Sequence, residues 1–323
     1  MVETHVFNTF LVSPLRATVW FGWLNHFNGL IAPAFLFIAG YALGLGMRQA
    51  VGARGGWGRK GRRLAGVWLL GYALHFPGPQ IFTGQWAEAL RLGTPVDVLP
   101  CLAVSLALLL LAERYARRWV DALVLAALIV IVFVCREEVA NTWRFSPDWL
   151  LAYVNRSTGS LFPLLPWMGF VCAGFLASGM FPPWPRRLAD DPTSLSQGAA
   201  PKPRPLFTTG LAGARAPIAG VVTLGLALSV SGSIGFFFER LCWLLAAVPV
   251  VMGLARFWQP RWLLFAGRES LVLYAVHLIL IEVLAGVGLP RGGLGIFGCV
   301  LTFVGVALAS GAIAGGWAWR RKS

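Results

Sequence analysis

Long apolar runs constrain this chain more than any other feature of it. They fall at Gly29–Met47, Leu64–Phe76, Val96–Leu111, Val120–Cys135, Leu161–Phe181, Ala216–Ser231, Arg240–Leu254, Ser270–Val287 and Leu294–Trp319. A membrane-crossing helix needs about 20 mostly apolar residues. Leu64–Phe76 and Arg240–Leu254 are short, so their boundaries are soft. The expectation is an all-α polytopic integral membrane helix bundle with about nine transmembrane helices. Composition agrees: 57% of residues are hydrophobic and only 12% are Asp, Glu, Lys or Arg, where about 25% charged is usual for a soluble domain. That balance excludes a disordered chain, a secreted disulfide scaffold and a cytosolic enzyme.

The net charge of +14 does not signal nucleic acid, because the basic residues sit in short runs between the apolar stretches. Lys and Arg set orientation by collecting on the cytoplasmic side. With the C-terminus inside and nine spans alternating, the cytoplasmic segments are 48–63, 112–119, 182–215, 255–269 and 320–323. They hold 20 of the 27 basic residues. Residues 1–28 then start outside, and no cleavable signal peptide is expected at Met1. Segment 182–215 is a Pro-rich, low-complexity cytoplasmic linker between five spans and four.

Ionisable groups in a membrane are costly and mark candidate function. His5 and His26 lie in the outer N-terminal segment with Glu3, Asn25 and Asn28. His75 ends the second run, Asp97 opens the third from outside, and Glu239 and Arg240 open the seventh. His277 lies mid-run in the eighth, with Glu282 in its outer half. If the helices bundle, these groups could line one outward cavity. Plainer roles compete: His75 as an interfacial histidine, His277 as an interhelical hydrogen-bonding group, and Asp97 as a helix N-cap. The cytoplasmic cations also serve as topology signals and lipid-headgroup contacts. Gly40–Gly46, Gly-Tyr-Ala-Leu-Gly-Leu-Gly, reads as close helix packing rather than a nucleotide loop. No metal-ligand spacing occurs among the five cysteines, which read as buried structural thiols, so no metal is expected.

Four strings in order are more specific. Phe27-Asn28-Gly29-Leu30 with Ala32-Pro33-Ala34-Phe35-Leu36-Phe37-Ile38-Ala39-Gly40 is the first. Pro95-Val96-Asp97-Val98-Leu99-Pro100-Cys101 and Phe162-Pro163-Leu164-Leu165-Pro166-Trp167-Met168-Gly169-Phe170 follow. The last is Gly267-Arg268-Glu269-Ser270-Leu271-Val272-Leu273-Tyr274-Ala275-Val276-His277. Together they resemble the membrane acyltransferases related to heparan-alpha-glucosaminide N-acetyltransferase, within the wider acyltransferase-three superfamily of bacterial envelope-glycan acylases. The chain departs from that pattern at its start, where Met1–His5 looks like the tail of a first helix. One further helix ahead of Met1 would make ten spans and put both termini inside.

The resemblance implies one transmembrane acyltransferase-like domain over residues 1–323, in a bacterial inner membrane. It implies transfer of an acetyl or other acyl group from cytosolic acyl-CoA to a hydroxyl or amine of an extracytoplasmic sugar or glycan. Membrane lipids are expected partners, nucleic acid is not, and a homodimer is compatible with the sequence. Imidazole suits the required base at neutral pH. His5 matches the histidine that ends the first helix of bacterial relatives, with Glu3 or Asp97 as orienting carboxylate. His26 is the alternative base, near where the heparan enzyme places its active-site histidine. Arg62, Arg63 and Arg268 are candidates for the CoA phosphates, and Asn28, His277 and Glu282 for the acceptor. Two other functions compete: a proton-coupled carrier or flippase using His277, Glu282 and Asp97, and a non-enzymatic scaffold subunit.

Overall fold

The computed structural model describes residues 1–49, 56–136, 147–180, 232–255 and 257–321. The Pro-rich linker expected at 182–215 and the apolar run Ala216–Ser231 lie outside the described residues. Among those described, the chain is helical, with one isolated parallel bridge between Leu11 and Leu294. It divides into two compact units, Met1–Ile31 with Gly253–Ser323, and Ala32–Met252.

The terminal unit opens with α1 (Val2–Phe10), a single turn α2 (Ser13–Arg16) and α3 (Val19–Asn28). The second unit runs through α4 (Ile31–Gln49), α5 (Trp57–Leu74), α6 (Gly78–Phe82), α7 (Trp86–Gly93), α8 (Val98–Ala116) and α9 (Val120–Arg136). It continues with the short α10 (Asp148–Leu151), then α11 (Leu164–Met180) and α12 (Gly232–Leu254). The terminal unit closes with α13 (Arg261–Arg268), α14 (Ser270–Gly286) and α15 (Ile296–Arg320).

Eight of the nine apolar runs thus coincide with helices, the ninth lying outside the described residues. Among the described residues three helical stretches are long and apolar enough to cross a membrane, Val19–Arg48, Val98–Ala116 and Ile296–Arg320. A fourth arises if α13 and α14, bent by 79° at Glu269, are taken as one. The apolar stretch Val120–Val132 within α9, and the 17-residue α11, are shorter, at or below the lower end of the roughly 17–25 residues of a spanning helix. Length and composition therefore support three or four of the nine expected spans. Helix α12 begins at Gly232 rather than Arg240, so Glu239 and Arg240 lie inside it and not at its outer end.

In the second unit α4 and α11 meet backbone to backbone. A Cβ built on Gly40 would lie 2.0 Å from the Val171 carbonyl oxygen, and one on Gly174 would lie 1.9 Å from that of Phe37. Gly44 approaches Ser178 in the same way, 2.2 Å from its hydroxyl. Gly40 with Gly44, and Gly174 with Ser178, are two small-xxx-small pairs at helical spacing, the pattern that lets lipid-embedded helices gain van der Waals contact. Arg48 closes this seam. Its guanidinium donates to Asp121 (2.7 Å) at the start of α9 and to the Ser178 hydroxyl (3.1 Å), and it lies over the Phe175 ring.

In the terminal unit the expected outer segment 1–28 is folded as helix. Val6, Phe7 and Phe10 share one face of α1 and are buried with Leu11, Phe21, Ile281, Cys299 and Val306. Helix α1 packs on both α14 and α15. Past α1 the backbone is pinned to the loop before α15. Leu294 N–H donates to the Phe10 carbonyl (2.8 Å), and Val12 N–H to that of Leu294 (2.9 Å). Gly292, at φ +67°, turns that loop so that its own N–H reaches the Thr9 carbonyl (2.9 Å). Arg16 Nε adds a bond to the Leu11 carbonyl at 2.7 Å.

Candidate functional site

Within the terminal unit the fold brings two of the candidate histidines together. His5 on α1 and His277 on α14 stand with ring centroids 5.3 Å apart, their planes inclined at 50°. His277 is 2% exposed, in edge contact with Tyr274 one turn earlier. Its Nδ1–H donates to the Leu273 carbonyl at 2.8 Å. A carbonyl can only accept, so that bond places the proton of the neutral ring on Nδ1 and leaves a lone pair on Nε2. Nε2 is buried and has no hydrogen-bond partner among the described residues. Thr4 Oγ1 on α1 and Ser310 Oγ on α15 are also buried without one. The three helices that pack together therefore each carry a polar atom whose hydrogen bonding the described protein does not satisfy. Buried polar groups in proteins are nearly always bonded to something, which marks these three atoms as candidates for a bound polar group.

The other candidates in this unit separate from the pair. His26, near the end of α3, is held in edge contacts by Trp23 and Phe27, both at 5.9 Å. Asn28 is the last residue of that helix. Glu282 follows His277 by five residues, which turns it to another face of α14. It is exposed and bound to Arg291 at 2.6 Å. Glu3 and His5 are two apart on α1, spacing that does not bring side chains face to face. Arg268 ends α13 exposed, and its neighbour Glu269 pairs with Arg321.

In the second unit Asp97 occupies the N-cap position of α8, its carbonyl accepting the Cys101 N–H at 3.1 Å. Its carboxylate lies 3.9 Å from Nδ1 of His75, the residue that caps α5. That nitrogen donates to the Gly71 carbonyl at 3.2 Å. The sequence offers His75 both as an interfacial histidine and as one of the groups lining an outward cavity, and does not pair it with Asp97. The Pro95-Val96-Asp97 string carried the signal, since it places a carboxylate directly before an apolar helix. Arg62 and Arg63 are exposed in the first turns of α5. Among the described residues no group of three His, Cys, Asp or Glu side chains is arranged for a metal ion.

An all-helical membrane protein with paired imidazoles in a packed helical seam narrows the class considerably. Residues 1–205 match the catalytic domain of heparan-alpha-glucosaminide N-acetyltransferase. That is more than half of the chain, and the chain belongs to this family of membrane acetyltransferases. The matched span contains His5, His26, Asn28, Arg62, Arg63 and Asp97, while Arg268, His277 and Glu282 lie beyond it. Neither the curated proteins nor the solved structures give a match.

Proposed function

We propose that the chain moves an acetyl group from cytosolic acetyl-CoA to a hydroxyl or amine of an extracytoplasmic sugar, in a bacterial inner membrane. The His5–His277 pair carries the proton in this reading. The observation that supports it is the buried Nε2 of His277, held as a lone-pair acceptor by the Nδ1–H bond to Leu273. Nε2 takes the proton of the acceptor O–H or N–H as that atom attacks the thioester carbonyl. The carbon–sulfur bond then breaks, and the thiolate leaves with the proton held by the imidazolium. His5, 5.3 Å away, is the second imidazole through which the proton or the acceptor hydroxyl can be held. Arg62, Arg63 and Arg268 bind the CoA phosphates by charge-assisted hydrogen bonds, and Asn28 and His26 bind the acceptor. The carrier reading gains nothing from Glu282, which is turned from His277 and ion-paired to Arg291.

The test is the set His5→Ala, His277→Ala and the double variant, assayed for acetyl transfer from acetyl-CoA to an amino sugar. Residues that act as one unit lose activity non-additively. Each single variant should lose roughly 10²–10⁴-fold in kcat, and the double variant no more than the worse single one. Wild-type turnover in His277→Ala would end this assignment.

A further inference from the structure

The second unit holds a cavity of about 790 Å³ that no part of the acetyl-transfer reading uses. Its volume lies within the roughly 300–1,000 Å³ of small-molecule sites. No charged side chain lines it. Four of the polar side chains in its wall are engaged within the protein. Trp68 Nε1 donates to the Tyr153 hydroxyl at 2.7 Å, and the hydroxyls of Tyr72 and Tyr153 lie 3.0 Å apart. Thr94 Oγ1 is bonded to the Leu90 carbonyl. A sugar or a nucleotide entering here would lose its hydration with little in return.

Helix α7 forms one wall and is amphipathic. Trp86, Ala89, Leu90 and Gly93 line the cavity at positions i, i+3, i+4 and i+7. Glu88 and Arg91, on its other flank, form an exposed ion pair at 2.8 Å, and the hydrogen bonds from Arg91 hold the Glu88 carboxyl below its usual range. Such a short helix, Trp-bearing on one face and charged on the other, is built to lie at a membrane interface. The His75–Asp97 pair lies close by in the chain: His75 is one turn beyond Tyr72 on α5, and Asp97 follows Thr94 by three residues. An apolar chamber beneath an interfacial helix, with a polar pair next to its walls, has the chemistry of an amphiphile site.

We propose that this cavity holds the long acyl chain of a membrane lipid, with the polar end of that lipid beside His75 and Asp97. The site is independent of the acetyl-transfer reading and stands or falls separately from it.

The full-length protein in phosphatidylcholine bilayers, doped with a phosphatidylcholine bearing a diazirine on its acyl chain, provides the test. After irradiation, cross-linked residues are mapped by mass spectrometry. Labelling at Leu90, Tyr72 and Tyr153 should exceed, several-fold, that at the exposed α15 residues Phe297, Leu301 and Leu308, which report bulk lipid. Val104→Phe fills the cavity from α8. Gly93→Leu fills it from α7, where a Cβ meets only Pro77 at an ordinary 3.6 Å. Whichever of the two melts like the wild type should lose the cavity labelling and keep that on α15. Cavity labelling no stronger than on α15, or unchanged in a folded filled variant, would overturn the proposal.

Discussion

Adding one methyl group at Gly174 meets the tightest contact among the described glycines. Its new Cβ would sit 1.9 Å from the Phe37 carbonyl oxygen and 3.0 Å from the Tyr41 nitrogen. Both are backbone atoms of α4, so no side chain can rotate away. Restoring even the 3.0 Å that real Cβ atoms respect requires α4 and α11 to part by ~1 Å, a gap that already forfeits a quarter to a half of each contact's attraction. The reciprocal contact of Gly40 with Val171 loosens in the same movement. Overpacking of this kind costs about 1–3 kcal/mol, which lowers the melting point by roughly 2–12 °C. The fully buried thiols of Cys101 and Cys172 report the melt through a maleimide dye that fluoresces as they become reachable on heating in detergent. Gly46→Ala, on the facing helix α4 with open space around it, is the control. It should be neutral or stabilising by up to ~1 kcal/mol from helix propensity. A Gly174→Ala protein that melts with the wild type would refute the backbone-to-backbone packing.

Arg48→Ala removes the bonds to Asp121 and Ser178 together. It should destabilise by about 1.5–3 kcal/mol, read in the same thiol melt, with Arg48→Lys recovering only part because it lacks the planar fork. Glu282→Gln and Arg291→Gln, which break an exposed pair, should cost no more than ~1 kcal/mol and leave acetyl transfer intact. A transport or transfer defect in Glu282→Gln would bring back the relay. The triple variant Arg62→Gln, Arg63→Gln, Arg268→Gln should raise the KM for acetyl-CoA with little change in kcat, and an unchanged KM would reject these phosphate contacts.

The helical bundle was legible because apolar runs of membrane length have few alternatives in water or lipid. The Gly40–Gly44 spacing announced close packing, and the structure shows what it packs against. Asp97 read as an N-cap and stands at that position, yet its neighbour His75 came from a separate helix and could not be paired with it from spacing. Residues 1–28 read as an outer segment because nine alternating spans, oriented by the Lys and Arg bias, leave them on the outer side. The structure buries Val6, Phe7 and Phe10 against α14 and α15, nearly 300 residues away in the sequence. Contacts of that range leave no local periodic signal, and the short α1 gave only its i, i+1, i+4 apolar face. The same distance hid the meeting of His5 with His277. Helix α7 was missed because eight residues with one charged pair look like a loop until a cavity defines their apolar face.

The central claim is covalent transfer through the His5–His277 pair. It is tested most directly with proteoliposomes given carbon-labelled acetyl-CoA on one side and an amino sugar on the other, the sugar then being analysed by mass spectrometry. Labelled, acetylated sugar is expected with the wild-type protein, at a rate roughly 10²–10⁴-fold lower in a folded His277→Ala variant. Sugar that crosses the bilayer unmodified while the label stays on CoA, or full acetylation by His277→Ala, would contradict it.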